Sequence, residues 1–228
     1  MSVILALKNV CKEFSFADEN LKILNDISCE LLFGETVAIT GPSGSGKSTL
    51  LGVMAGLEPP TSGEIVFGDR EIHNSSDDEL CFWRRSEVGF IFQNFRLVKT
   101  LSAIENVAFP LEIQGENAAE AQKKARELLA ELHLEHRLHH FPHQLSGGEK
   151  QRVAIARAYV HNPKVIFADE PTGNLDTHSA EKVLQSLLSI NETHKTTLIV
   201  VTHDIAIAQR MSRQLELIAG KLQDDSES

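Results

Sequence analysis

The sequence predicts an α/β fold, a parallel-sheet core interrupted in its middle by a helical insertion. Three observations carry this. A short β-branched apolar run, "ETVAIT" (35–40), passes through a glycine-rich loop directly into a helical pattern. Two further apolar runs, "KVIFADE" (164–170) and "TTLIVVTHD" (196–204), flank a helical stretch around "SAEKVLQSLLSI" (179–190). Between about residues 98 and 161 strand signals fade and helical ones dominate.

Taken in order, "ILALKNV" (4–10) and "KILNDISCELL" (22–32) read as strands; in the second, Ile27, Cys29 and Leu31 alternate with Ser28 and Glu30. "ETVAIT" is short and apolar throughout, as a buried strand should be, and "GPSGSGKSTLLGVMAGL" (41–57) follows as loop and helix. "SGEIVFGD" (62–69) is a turn and a strand. In "AAEAQKKARELLAELHL" (118–134), Ala118, Ala121, Ala125, Leu128, Leu129 and Leu132 repeat at helical spacing, with charges opposite. "SGGEKQRVAIARAYVHNP" (146–163) is a second helix, stopped near Pro163.

Composition limits the function classes. A 42% hydrophobic chain of 228 residues can bury one sizeable core. The formal net charge of −10 disfavours nucleic acid and anionic membrane surfaces as direct partners, because both attract basic patches. Three scattered cysteines, Cys11, Cys29 and Cys81, lack metal-ligand spacing and fit a reducing compartment. The start lacks the basic segment of a secretory signal, and no run approaches the roughly 20 apolar residues of a membrane span. A role at a membrane would therefore require another chain to hold the protein there.

The loop "GPSGSGKST" contains Gly41, Pro42, Ser43, Gly44, Ser45, Gly46, Lys47, Ser48 and Thr49 and matches the pattern G-x-x-x-x-G-K-[ST]. Its glycines let backbone N–H groups wrap phosphate oxygens, Lys47 brings a positive charge to the β and γ phosphates, and Ser48 offers a hydroxyl to Mg²⁺. The helix that follows points its positive end at the same anion. Asp169 ends the apolar run "VIFAD", where open α/β sheets bind ligands, and can hold Mg²⁺ through water. Glu170 follows it and can orient or deprotonate an attacking water. His203 ends another apolar run and can bridge the γ-phosphate and that water. Gln93, after the short run "GFIF", can touch Mg²⁺ or water with its amide.

"QLSGGEKQR" (144–152) is a second glycine-opened helix start. Ser146 and Glu149 form S-x-x-E before an apolar helical run, the signature of a capping box. A box alone needs no glycines, so Gly147 and Gly148 imply that something approaches the backbone closely, and bare amides at a helix start suit an anion. The segment has no lysine of the phosphate-loop kind, which argues against an independent nucleotide site. Nearby, five histidines crowd "HLEHRLHHFPHQ" (133–144), but Pro142 breaks their helical geometry, and a solvated helix end is the expected state. In "FQNFRLVKTLSAIENVAFPL" (92–111), most of Phe92, Phe95, Leu97, Val98, Leu101 and Phe109 are expected in the core, with a minority lining a groove for a partner helix.

Together "GPSGSGKST", Gln93, "LSGGE", "VIFADE", "NLD" (174–176) and His203 resemble, in this order and over nearly the whole chain, the ATP-binding cassette (ABC) ATPases. The resemblance implies a P-loop NTPase with a RecA-like core and antiparallel β subdomain (about 1–97 and 162–228) and a helical subdomain (about 98–161) carrying the signature motif. It implies an ATP-hydrolysing subunit with ATP and Mg²⁺, working as a homodimer in which Ser146, Gly147 and Gly148 of one subunit close on the γ-phosphate held by the other's phosphate loop. "FADEPTGNLD" and "VGFIFQNFRLVKTLSAIENVAFPL" resemble the lipoprotein-release and macrolide-export group (LolD, MacB, YbbA), the YbbA type most. That group works from the cytoplasmic face of the inner membrane on membrane subunits with large periplasmic domains. The tyrosine that usually stacks on adenine is replaced here by Phe14, with Phe16 close enough to take the role instead. Soluble ABC ATPases of DNA repair or translation are a second class. They carry long coiled coils or two cassettes, and this chain has neither. A third class is an ATP-switched scaffold with little turnover, against which Glu170 and His203 speak.

Overall fold

The computed structural model describes residues 2–16 and 19–224, without the side chains of Phe16 and Glu19. Its strands and helices follow the chain as β1 (Val3–Phe16), β2 (Glu19–Leu32), β3 (Thr36–Thr40), α1 (Lys47–Met54), β4 (Ser62–Phe67), β5 (Arg70–Glu71), α2 (Asp77–Glu87) and β6 (Val88–Phe92). There follow α3 (Ala103–Ile113), α4 (Ala118–Glu131), α5 (Gly147–Tyr159), β7 (Val165–Asp169), α6 (Thr177–His194), β8 (Thr197–Val201), α7 (Ile205–Ala208), β9 (Arg213–Ile218) and β10 (Lys221–Asp224). The chain forms two compact units, one of residues up to 84 together with 197 onward, the other of residues 85–196.

In the first unit β2, β1, β4 and β5 make an antiparallel sheet. β3 runs parallel to both β8 and β9, and β9 turns back into β10 through Ala219 and Gly220, both at positive φ. The central residues of β3 (Val37, Ala38, Ile39) and all of Leu198–Val201 are buried, which is why these strands are apolar without alternation. The only tryptophan, Trp83 on α2, packs edge-on against Phe67 at 5.0 Å between ring centres. Helix α2 starts with a reciprocal Ser76–Glu79 arrangement, Ser76 N–H donating to Glu79 Oε2 at 2.8 Å and Glu79 N–H to Ser76 Oγ at 3.4 Å.

In the second unit β6 and β7 pair in parallel, from Val88 opposite Val165 to Phe92 opposite Asp169. Helix α5 packs on β6, α3, α4 and α6. Of the face expected in 118–134, Ala121, Ala125, Leu128, Leu129 and Leu132 are buried, while Ala118, the first residue of α4, is exposed where the helix starts. The segment 92–111 departs from expectation. None of Phe92, Phe95, Leu97, Val98, Leu101 and Phe109 is fully buried, and Val98 and Phe109 are exposed. The reason lies in the phase of α3, whose inward face is Ile104, Val107, Ala108 and Leu111, so that Phe109 falls on the outside. The loop before α3 is organised by the buried Asn106. Its Nδ2 donates to the carbonyls of Val98, Leu101 and Ser102 at 2.9–3.1 Å, and its Oδ1 accepts from Val98 N–H at 2.8 Å.

Close approach of α5 to β6 depends on Gly89. A Cβ there would lie 2.4 Å from the Ala158 carbonyl oxygen and from Ile166 Cδ1. Gly89→Ala is expected to destabilise the protein by about 1–3 kcal/mol through overpacking. Urea denaturation measures this, and an unchanged midpoint would show that α5 and β6 have slack.

Candidate functional site

The phosphate-loop residues form the turn between β3 and α1. Gly46 caps α1 with φ 101°, and a Cβ on it would stand 2.8 Å from Ile23 Cγ2. A Cβ on Gly41 would collide with the Leu217 carbonyl oxygen at 2.3 Å. Both positions therefore demand glycine on grounds of space and of backbone angle. Lys47 is nearly buried, and its ammonium donates to the carbonyls of Gly41 and Pro42, 2.9 Å each. In the same turn Ser45 Oγ is buried without a hydrogen-bond partner among the described residues. A buried cation held, among the described residues, by its own loop's carbonyls, beside an orphaned hydroxyl and a helix N-terminus, fits a bound polyphosphate.

His203 belongs to the same unit. Val201 lies opposite Ile39 in the β3–β8 ladder, and Thr202 N–H donates to the Ile39 carbonyl at 3.1 Å. The strand end that delivers Gly41 therefore also delivers His203, whose ring is exposed. Asp204 beside it caps α7, accepting from Ala206 N–H at 2.8 Å. Ser48, in the first turn of α1, is exposed. Phe14 on β1 is half-buried, with the Lys12 ammonium 5.0 Å from its ring centre; that ammonium also donates to the Pro59 carbonyl at 2.7 Å. The alternative stacking residue, Phe16, has its side chain outside the described residues.

The second unit collects Gln93, Asp169, Glu170 and the 146–149 segment. Because Phe92 pairs with Asp169, Gln93 and Glu170 are the first residues beyond the ends of neighbouring parallel strands. Glu170 adopts φ 47°, an unusual left-handed conformation for a non-glycine residue, and its carbonyl accepts from Gly173 N–H at 3.1 Å. The turn also brings in the first residue of "NLD", for whose contacts the sequence offers no signal. Asn174 Nδ2 donates to the Gln93 carbonyl at 3.0 Å and to Asn94 Oδ1 at 2.8 Å, while its Oδ1 accepts from Gln93 Nε2 at 3.3 Å.

The capping box of α5 is present: Ser146 Oγ accepts from Glu149 N–H at 3.3 Å, and Ser146 N–H donates to Glu149 Oε2 at 2.8 Å. Gly147 and Gly148 follow the cap directly. Arg137 Nε donates to Glu149 Oε1 at 2.8 Å, a contact for which the sequence offers no signal. Burial raises the Glu149 pKa, but the bonds from Ser146 N–H, Arg137 and the Ser146 hydroxyl, with the charge of Arg137, outweigh it and bring it to about 2. The histidine run contributes one contact here, a 3.1 Å approach of Arg137 Nη1 to His140 Nε2.

The family model described as ABC transporter matches residues 24–173. The chain is 45% identical over 223 residues to the ABC transporter ATP-binding protein YbbA of Escherichia coli (strain K12), covering 98% of each. It is 46% identical over 210 residues to the lipoprotein-releasing system ATP-binding protein LolD of Idiomarina loihiensis, covering 92% of each. Among solved structures, the dimeric post-hydrolysis state of the ATP-binding cassette MJ0796 bound to ADP and Pi superposes with a TM-score of 0.89 at 41% identity. That match covers 97% of this chain and 98% of the other.

Since Glu149 has a lowered folded-state pKa, its ionised form contributes stability that is complete above the unfolded value of 4.5 and is lost as pH falls toward about 2. The unfolding free-energy gap between the parent chain and Glu149→Gln, followed by urea titration, is expected to be full near pH 7 and to shrink below about 4.5. A gap independent of pH would deny the carboxylate's charge this role.

Proposed function

The chain belongs to the ABC transporter family and is an ATP-binding, ATP-hydrolysing transporter subunit; we propose that two copies close on ATP and so drive a membrane-embedded partner. The observation that carries the reading is the presence of two glycine-opened helix starts of different chemistry. One has the buried Lys47 at its mouth. The other, Ser146–Glu149, offers a capped helix start in which Arg137 already engages the only carboxylate of the box. A helix start that has glycines but no phosphate-loop lysine suits a phosphate whose cation comes from elsewhere, and Lys47 of a second copy supplies one.

In this reading Gly41 to Gly46 bind the phosphates through backbone N–H groups, Lys47 neutralises the β and γ phosphates, and Thr49 completes the first turn beneath them. Ser48, Gln93 and Asp169 hold Mg²⁺, the last through water. The metal, when bound, neutralises charge that develops on the transferred phosphoryl group. Glu170 takes the proton of the attacking water or orients it, His203 donates to the γ-phosphate and lines up that water, and Phe14 stacks on adenine. Ser146, Gly147 and Gly148 bind the γ-phosphate of the opposite copy, with Glu149 holding the cap in shape. Residues of about 98–161 serve as the helical subdomain that carries this signature, and those of about 1–97 and 162–228 as the core and β subdomain.

Among the described residues no helix is long and apolar enough to cross a membrane. The likeness to YbbA and LolD supports a place at the cytoplasmic face of the inner membrane, held by permease subunits with periplasmic domains. The likeness to LolD supports export or extraction of lipoprotein, lipid or hydrophobic small molecules as the work performed.

Glu170→Gln is expected to bind ATP, lose hydrolysis by roughly a hundredfold or more, and accumulate as a dimer with Mg-ATP. Light scattering reads the mass directly, and a strict monomer at saturating ATP would overturn the dimer. Ser146→Arg is expected to abolish turnover while nucleotide binding, followed with a fluorescent ATP analogue, persists. Parental turnover in that variant would remove the signature segment from the mechanism.

A further inference from the structure

We propose that Asn174 is a positioning residue that holds Gln93 in the geometry used for hydrolysis. The inference rests on the reading of Gln93 given above. One side-chain amide grips Gln93 by both its parts: Nδ2 donates to the main-chain carbonyl, and Oδ1 accepts from the side-chain Nε2. The second Nδ2 hydrogen goes to Asn94 Oδ1, so all three bonds fall on two consecutive residues. Gly173 makes room for this, since a Cβ there would lie 2.8 Å from Gln93 Nε2.

The grip has a specific consequence. A glutamine has three rotatable side-chain bonds and an amide whose two ends differ chemically. With Nε2 given to Asn174, the carbonyl oxygen is the end that meets a cation or accepts a proton from water. The acceptor end is the one that a Mg²⁺ ligand needs.

The backbone beyond Gln93 shows why holding is required. Phe95 and Arg96 stand at φ 56° and 47°, two successive non-glycine residues in the left-handed region. Such a pair persists only when its surroundings over-determine it. Asn174 fixes the entry to this turn. The exit is fixed by Arg157 on α5, whose guanidinium donates to the carbonyls of Phe95 at 2.9 Å and Arg96 at 2.6 Å. The Arg96 guanidinium in turn lies 4.2 Å over the Phe92 ring. Removing the Asn174 amide should therefore release the turn at the Gln93 end while Arg157 keeps the other.

The test uses Asn174→Ala, Asn174→Asp, Gln93→Ala and the double variant Gln93→Ala/Asn174→Ala in the full chain. Asn174 is exposed, and Asp is nearly isosteric, keeping one acceptor and losing both donors. In the nucleotide-free protein, amide hydrogen exchange at Phe95 and Arg96 is expected to accelerate about tenfold in both Asn174 variants with the melting temperature unchanged. Mg-ATPase kcat is expected to fall about tenfold in Asn174→Ala, and the double variant to be no slower than Gln93→Ala within about twofold. Parental exchange and rate in Asn174→Ala, or losses that multiply in the double variant, would overturn the inference while Gln93→Ala stays impaired. Parental turnover in Gln93→Ala would instead overturn the reading of Gln93 and the inference with it.

Discussion

Backbone amides converge on an anion only where no side chain stands in the way, and this chain meets that condition at the starts of two helices. At α1 the condition is severe: Gly41 and Gly46 are hemmed in by Leu217 and Ile23 and hold backbone angles that other residues resist. At α5 the glycines stand just inside an ordinary capping box. The two starts also differ in charge. Lys47 sits among carbonyls, so its loop carries an uncompensated cation among the described residues. Glu149 would place an anion at the mouth of α5, where the helix dipole holds it and where it would repel phosphate. Arg137 is the answer to that, a cation at 2.8 Å that keeps the carboxylate engaged in capping and away from the approach.

The strand registers then determine which side chains can work with such a start. In one unit the ladder ends with Ile39 opposite Val201, so that the phosphate loop and His203 emerge together. In the other it ends with Phe92 opposite Asp169, so that Gln93 and Glu170 emerge together. These ladders are apolar and largely buried, so the pairing that buries the strands also places the polar residues beyond their ends. The left-handed conformation of Glu170 follows from a compact turn in which Gly173 N–H reaches back to its carbonyl before Asp176 caps α6.

What was legible in the sequence was whatever depends on neighbours along the chain. The apolar runs at 36–40, 165–169 and 197–201 became buried strands, and S-x-x-E at 146–149 became a capping box. The same S-x-x-E signal at Ser76 and Glu79 marks the start of α2, and Ala219–Gly220 marks the turn between β9 and β10. The burial of 92–111 is not legible from apolar content alone, because helical phase puts Phe109 outside and Ala108 inside. Arg137, Arg157 and Asn174 were illegible as contacts because each partner is 12, 61 or more positions away, and only the folded chain brings them together.

Those long-range contacts make α5 more than the carrier of its first turn. At its start, Glu149 is held by Arg137, whose segment also binds the beginning of α3 through the carbonyls of Leu138 and His140. Near its end, Arg157 holds the strained turn that follows Gln93. Between them the helix is tightly buried, with Val153 to Ala156 inaccessible and Tyr159 bonded to Asn191 of α6 at 2.9 Å. Thirteen helical residues span about 20 Å and, in a close-packed interior, shift as a body more readily than they bend. Helix α5 therefore joins the capped Ser146 end to the turn after Gln93 through its own side chains. The turn's two left-handed residues persist because Arg157 and Asn174 hold both of its ends.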